Sequence, residues 1–207
     1  MKRSSQIILI IASLSMIISL FLPLWDIQLS APQYPEGLDM KIWLNKFSGD
    51  VNTISGLNHY IGMRKIEESM FPELQFMKPA IIFFIISGVL VALMRKKWIY
   101  ASWFVLFFIF AMVGFYDFWQ WEYDYGHNLD PHAAIKIPGM SYQPPFLGCK
   151  QLLNFNACSF PDQGGQIIMI AGTVCFIIFI YEMFFSRKKI LSAQIARIKK
   201  LKFAAIY

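Results

Sequence analysis

Apolar residues in this chain are gathered into four long blocks instead of recurring at the period of a strand or of an amphipathic helix. The first block, QIILIIASLSMIISLFLPLW at residues 6–25, contains no charged residue. Three more blocks cover residues 77–94, 98–119 and 166–185. Their few charged residues, Lys78, Asp117 and Glu182, lie near block ends. About 20 helical residues cross the roughly 30 Å hydrocarbon core of a bilayer. The pattern therefore predicts four membrane-spanning helices.

The segments between the blocks differ greatly in length. Residues 95–97, Arg-Lys-Lys, leave room only for a tight turn between antiparallel helices. Residues 26–76 and 120–165 are long loops, which we expect to form a small cap on one side of the membrane. In the first loop, GLDMKIWLNKF suggests a short strand or hairpin, and NHYIGMRKIEESMFPELQFMKPA predicts a helix leading into the second span. We predict an all-α fold. Residues 1–207 are expected to form a single integral membrane domain.

Charge decides the expected orientation. The chain is 57% apolar and 15% charged, whereas an average soluble chain carries roughly 25% charged residues. Twelve of the 19 Lys and Arg residues flank the ends of the spans on one side: before the first, between the second and third, and in the tail at 186–207. The positive-inside rule places both termini and this basic, amphipathic tail in the cytoplasm and both long loops outside. The pI near 9.2 is thus a topology signal and does not indicate nucleic-acid binding.

Histidines and methionines of the two loops are the candidate metal ligands. On the predicted helix of the first loop, His59 and Met63 would share a face at a spacing of four residues, and imidazole with thioether suits copper. In the second loop, His127 and His132 flank the turn NLDP, and Met140 follows a Pro-Gly turn. Their spacing matches no closed zinc motif. Two alternatives stay open: a rigid structural lid and a surface that docks a partner.

Two of the three cysteines, Cys149 and Cys158, lie in the second long loop. A compartment outside the cytoplasm permits a disulfide between them, and free thiols are the alternative. Cys175 falls within the fourth span, where a thiol behaves as a small apolar group.

Acidic residues are interleaved with aromatic ones in FYDFWQWEYDYGH, where the third span ends. Asp117, Glu122 and Asp124 are interpreted either as solvated anions at a helix end or as a cluster that holds a cation. A further hypothesis is a membrane enzyme that acts at the outer interface with Asp117, Glu122 and His127.

Several phrases in the loops resemble a known family. They are LPLWDIQLSAPQYPEGL, ISGLNHYIGM, PELQFMKP, DYGHNLDPHAAIKIPGMSYQPP and QLLNFNACSFPDQGG. Together they resemble the small four-span membrane proteins encoded beside nitrous-oxide reductase in bacterial respiratory gene clusters. The resemblance implies a protein of the bacterial cytoplasmic (inner) membrane that serves a periplasmic copper enzyme of denitrification through maturation, copper supply, export or electron delivery. It assigns no reaction to any residue.

Three functions follow from these observations. The first is a non-catalytic membrane accessory protein whose outer loops dock a periplasmic partner, since the sequence has no dithiol, phosphate loop or haem-attachment motif. The second is copper delivery through His59, Met63, His127, His132 and Met140, with copper as the one cofactor indicated. The third is the interfacial enzyme. Counting copper bound to the purified protein distinguishes the first two.

Overall fold

The computed structural model describes residues 1–135 and 137–185. The predicted basic helix of the tail, residues 186–207, lies outside the described residues.

Four helical segments are long and apolar enough to cross a membrane, as the sequence predicts. Their helices are α1 (Arg3–Ser15), α3 (Glu73–Met94), α4 (Lys97–His127) and α5 (Gln163–Ile180). A 3-10 turn at Ile18–Phe21 prolongs α1, and a π-helical turn at Tyr181–Phe185 prolongs α5. Only between 22% and 33% of each apolar stretch is buried inside the protein. The remaining apolar surface fits a lipid environment. Lipid tails are as apolar as Ile and Phe side chains, so exposing these side chains to lipid carries no hydrophobic free-energy penalty.

The two long loops form a five-stranded antiparallel sheet, so the prediction of an all-α fold is wrong. The strands are β1 (Trp25–Ala31), β2 (Tyr34–Ile42), β3 (Phe47–Gly49), β4 (Gly148–Leu152) and β5 (Phe155–Pro161). Their order is β3-β2-β1-β5-β4. The hairpin suggested for the first loop is present as β2 and β3. The central pair joins the two loops, because β1 lies antiparallel to β5 with Trp25 opposite Pro161.

The prediction of a continuous helix across the end of the first loop is also wrong. Helix α2 covers Val51–Tyr60 and ends there; a 3-10 turn follows at Glu68–Met70, and α3 starts only at Glu73. Gly62 explains the break, because its φ of 84° lies in the left-handed region and its amide donates to the His59 carbonyl. The chain then turns and continues without regular structure over residues 63–67.

Helix α4 is longer than predicted. It runs for 31 residues to His127, although the sequence indicates a span that ends at Trp119. At about 1.5 Å per residue it measures roughly 46 Å, well beyond the roughly 30 Å of a hydrocarbon core. We take residues 98–119 as its membrane-spanning part, and residues 120–127 project into the cap. The sheet, α2 and this projecting end of α4 together constitute the cap.

Two separate apolar cores follow from this division. The membrane core packs α1, α3, α4 and α5 around buried side chains such as Leu9, Met16 and Tyr100. The cap core combines Trp25, Ile27 and Met40 of the sheet with Ile54 of α2 and Tyr125 of α4. Tyr125 is the contribution of the projecting helix end, so α4 connects the cap to the membrane bundle.

A glycine allows α4 to approach the second loop closely. The Gly126 carbonyl accepts a hydrogen bond of 2.9 Å from the Tyr142 amide. A Cβ atom at Gly126 would lie 2.3 Å from the backbone nitrogen and Cα of Gln143, whereas one at Gly114 of the same helix would meet nothing within 4 Å. Only the first position therefore requires glycine for packing.

Gly126→Ala is expected to lower the free energy of unfolding by about 1–3 kcal/mol, because the backbone of residues 142–143 must move away. Gly114→Ala is the matched control and should be neutral or stabilising by up to about 1 kcal/mol, the usual gain in helix propensity. Thermal unfolding in detergent, followed by tryptophan fluorescence, measures both. Equal melting temperatures for the two variants would contradict this account of the contact.

Candidate functional site

The structure brings together only two of the five predicted metal ligands. His59 and Met63 line one cleft of about 370 Å³, together with Arg64, Lys65 and Asp130. His59 is the penultimate residue of α2, and Met63 follows the turn at Gly62. They share the cleft because the chain turns back at Gly62. The prediction that they share one face of a helix is wrong, since α2 ends before Met63.

The other three predicted ligands do not line this cleft. The His127 ring stacks on Tyr123 with centroids 4.0 Å apart, and its Nδ1 lies 2.9 Å from the Tyr123 carbonyl oxygen. The His132 amide donates to Asp130 Oδ1 at 2.8 Å. Met140 closes a turn through a hydrogen bond from its amide to the Ile137 carbonyl. Within residues 1–135 and 137–185, no three His, Cys, Asp or Glu side chains are grouped as a metal site.

A disulfide joins Cys149 to Cys158. The two residues face each other across β4 and β5, so the sheet itself brings their sulfur atoms together. Cys175 is a free, buried thiol in α5. The covalent link fastens the edge strand β4 to its neighbour β5.

Of the three carboxylates interleaved with aromatics, only Glu122 is buried. Its side chain is fully inaccessible, whereas Asp117 is exposed and Asp124 is half-buried. Helix geometry explains the difference: Asp117 and Asp124 are seven residues apart and share a face, and Glu122 points about 140° away from Asp117. The structure therefore does not assemble the three as one cation-binding cluster.

Glu122 lines a cavity of about 300 Å³ inside the cap. We call it the Glu122 cavity. Its walls come from the sheet, α2, α4 and the second loop, and they include Ile27, Met40, Ile54, Tyr125, Tyr142 and Phe155. Neither carboxyl oxygen of Glu122 has a hydrogen-bond partner among the described residues, and the same holds for the Tyr142 hydroxyl. The indole Nε1 of Trp121, which also lines the cavity, is likewise buried without a partner among the described residues. An unsatisfied buried polar group costs about 1–3 kcal/mol, so three at one cavity are a feature that packing alone does not account for.

Burial changes the ionisation of this carboxyl. Glu122 belongs to the part of α4 that projects beyond the membrane, and removal from water raises its pKa to about 8. Desolvation disfavours the charged form, and no neighbouring cation compensates within the described residues. The carboxyl is therefore mostly protonated at neutral pH, and it can donate or accept a hydrogen bond.

A second buried carboxylate lies at the opposite end of the helical bundle. Glu182 is fully inaccessible, and its Oε2 lies 3.3 Å from the Lys97 ammonium. Its Oε1 accepts a hydrogen bond of 2.8 Å from the Lys2 amide, and Lys97 also donates to the Glu182 carbonyl at 3.1 Å. These contacts fasten the starts of α1 and α4 to the π-helical turn after α5. We interpret this group as structural.

No family model, curated protein or solved structure matches this chain. The resemblance of its loops to the proteins encoded beside nitrous-oxide reductase therefore stays a prediction. The sequence pattern indicated Glu122 as one member of an acidic cluster and as one residue of a hypothetical interfacial enzyme, without singling it out from its neighbours. A sharper signal was available, because Phe118, Glu122 and Tyr125 fall on one helical face, and a carboxyl between two aromatics on a core-facing stripe is unusual.

Proposed function

We propose that the protein is a non-catalytic accessory protein of the bacterial cytoplasmic membrane, whose cap docks a periplasmic copper enzyme of nitrous-oxide reduction. The membrane bundle anchors the cap, and the cap makes the contact. The choice of partner comes from the resemblance of the loops. The choice of the cap as the docking part comes from its construction.

Two independent features support a cap outside the cytoplasm. Disulfides persist in the periplasm and are rare in the cytosol, and the cap contains the bond between Cys149 and Cys158. The basic residues between α3 and α4, Arg95, Lys96 and Lys97, lie at the other end of α4 from the cap, where the positive-inside rule expects the cytoplasm. Both features favour the same orientation, with the two termini inside.

The observation that carries the proposal is the asymmetry of the sheet. Ile27, Met40 and Ala157 point to one face and are buried in the cap, with at most 3% of their surface exposed. The opposite face carries Gln28 and Asn156, which are exposed, and Phe160, which is 48% exposed. The disulfide lies on this open face, because Cys158 pairs with Gln28 of β1. A rigid, largely polar face with an aromatic side chain resembles the composition of protein interfaces.

The test is co-purification of the protein with the copper enzyme after co-expression and mild detergent extraction. Phe160→Gln should reduce recovery of the enzyme about tenfold or more, because exposed aromatics dominate interface energies. Tyr123→Gln is the control: it removes another exposed aromatic of the cap, which lies on α4 and stacks on His127 outside the sheet. Equal recovery with both variants would contradict docking through the open face.

Copper delivery is the second candidate function, and one observation favours it: His59 and Met63 line the same cleft. Soft and borderline ligands of this kind suit Cu(I). The purified protein would be loaded with Cu(I) under reducing conditions, and the bound copper counted. One copper per chain that is lost in the double variant His59→Ala, Met63→Ala supports delivery. Copper binding unchanged in that variant, or no bound copper, argues against it.

A further inference from the structure

We propose that the Glu122 cavity binds a small primary ammonium compound with an apolar body. This ligand site is independent of the docking proposed above, because the cavity lies on the covered side of the sheet. Docking uses the opposite face.

The lining of the cavity selects an apolar ligand body. Apolar side chains of the sheet, of α2 and of the segment that follows α2 surround it, chiefly Ile27, Met40, Ile54, Leu57, Ile66 and Phe155. A volume of about 300 Å³ lies at the lower end of the range for small-molecule sites, which are typically apolar with a few fixed polar groups. The cavity therefore suits a compact ring or a short alkyl chain.

The polar groups of the cavity select a cation. Glu122 is the only carboxyl among the described residues that line it, and no Lys or Arg is among them. An anionic ligand would meet a carboxyl with no compensating positive charge. A primary ammonium has three N–H donors, and Glu122 with the Tyr142 hydroxyl offers three acceptor oxygens, all without partners in the described part of the chain. Charge-assisted hydrogen bonds of this type are the strong ones in proteins.

Binding would be coupled to loss of a proton. The neutral Glu122 carboxyl releases its proton to solvent, and the resulting carboxylate pairs with the ligand ammonium, so charge is conserved in the cavity. The other titratable groups that line it are the phenols of Tyr60, Tyr125 and Tyr142, and Arg64 and Lys65 line the neighbouring cleft, which shares Met63. Glu122 is the acidic group whose ionisation the ligand would change.

The experiment measures calorimetric binding of phenethylammonium to the full chain in detergent at pH 7, with 2-phenylethanol as the neutral analogue of nearly equal size. We expect saturable binding of one amine per chain, with proton release that is visible as a dependence of the heat on buffer ionisation enthalpy. The alcohol should bind about tenfold more weakly or worse, because it lacks the charge. Glu122→Gln should weaken amine binding about tenfold or more, and Glu36→Gln, at an exposed carboxylate of β2, should leave it unchanged.

A second variant protects the test from a folding artefact. Leu57→Trp keeps Glu122 but fills part of the cavity, and it should abolish amine binding while the far-UV spectrum stays unchanged. Equal amine affinity in wild type and Glu122→Gln would overturn the proposal, since it indicates partition into detergent. If 2-phenylethanol binds as tightly as the amine, the proposal that the ligand is a cation is wrong. Absence of saturable binding would show that water alone occupies the cavity, and would overturn the site.

Discussion

Glu122→Gln is expected to stabilise the cap at alkaline pH, by up to about 5 kcal/mol above pH 8, and to have little effect near pH 4. The reason is the burial that raises the pKa of Glu122 to about 8 from an ordinary value of 4.5. Each pKa unit corresponds to about 1.4 kcal/mol of differential stability. Glutamine cannot ionise, so the variant does not carry this cost.

The sign follows from proton binding in the two states. Below about pH 4.5 the carboxyl is protonated in both the folded and the unfolded chain. Between pH 4.5 and 8 the unfolded chain has released the proton and the folded chain retains it, so wild-type stability falls as the pH rises. Above pH 8 both states are ionised, and the loss levels off.

Chemical unfolding of the two proteins in detergent at half-unit steps from pH 4 to 9 measures this difference. Glu36→Gln is the control, because its carboxylate is exposed on β2 and should leave the pH dependence unchanged. A difference between wild type and Glu122→Gln that stays constant across the pH range would contradict the burial of an uncompensated carboxyl.

Lys97→Met is expected to lower the free energy of unfolding by about 3–5 kcal/mol, the usual cost of leaving one member of a buried ion pair alone. The Lys97 ammonium lies 3.3 Å from Glu182, whose side chain is fully inaccessible. Without Lys97 the carboxylate retains the hydrogen bond from the Lys2 amide but loses the ammonium that forms its salt bridge. Thermal unfolding followed by circular dichroism measures the loss.

Two variants separate this effect from a general loss of positive charge. Lys96→Met removes an exposed lysine one position earlier and should change stability by less than about 0.5 kcal/mol. The double variant Lys97→Met, Glu182→Leu should recover most of the stability, because replacing both charges leaves no buried ion. If the double variant is as unstable as Lys97→Met, the ion pair is not the source of the loss.

The candidate site could be predicted only in part. Sequence spacing named Glu122 within an acidic cluster, and it named His59 and Met63 as neighbours. The structure separates the acids, because Asp117 and Asp124 lie on a different face of α4 from Glu122. It also replaces the helix expected to hold His59 and Met63 with a turn at Gly62. Local patterns identified the residues. Which of them meet depends on the face of α4 that each acid occupies and on where α2 ends.

The sequence by itself determined the four spans, because a long uncharged run is stable only where its surface meets lipid or other apolar groups. Through local alternation it also suggested a short strand or hairpin in the first loop, where β2 and β3 lie. Only the tertiary structure decided that β1 pairs with β5, since these strands are more than 120 residues apart and no local pattern specifies such a contact. The same holds for the burial of Glu122. Its surroundings come from the sheet, α2 and the second loop, and they exist only once those distant segments have packed against α4.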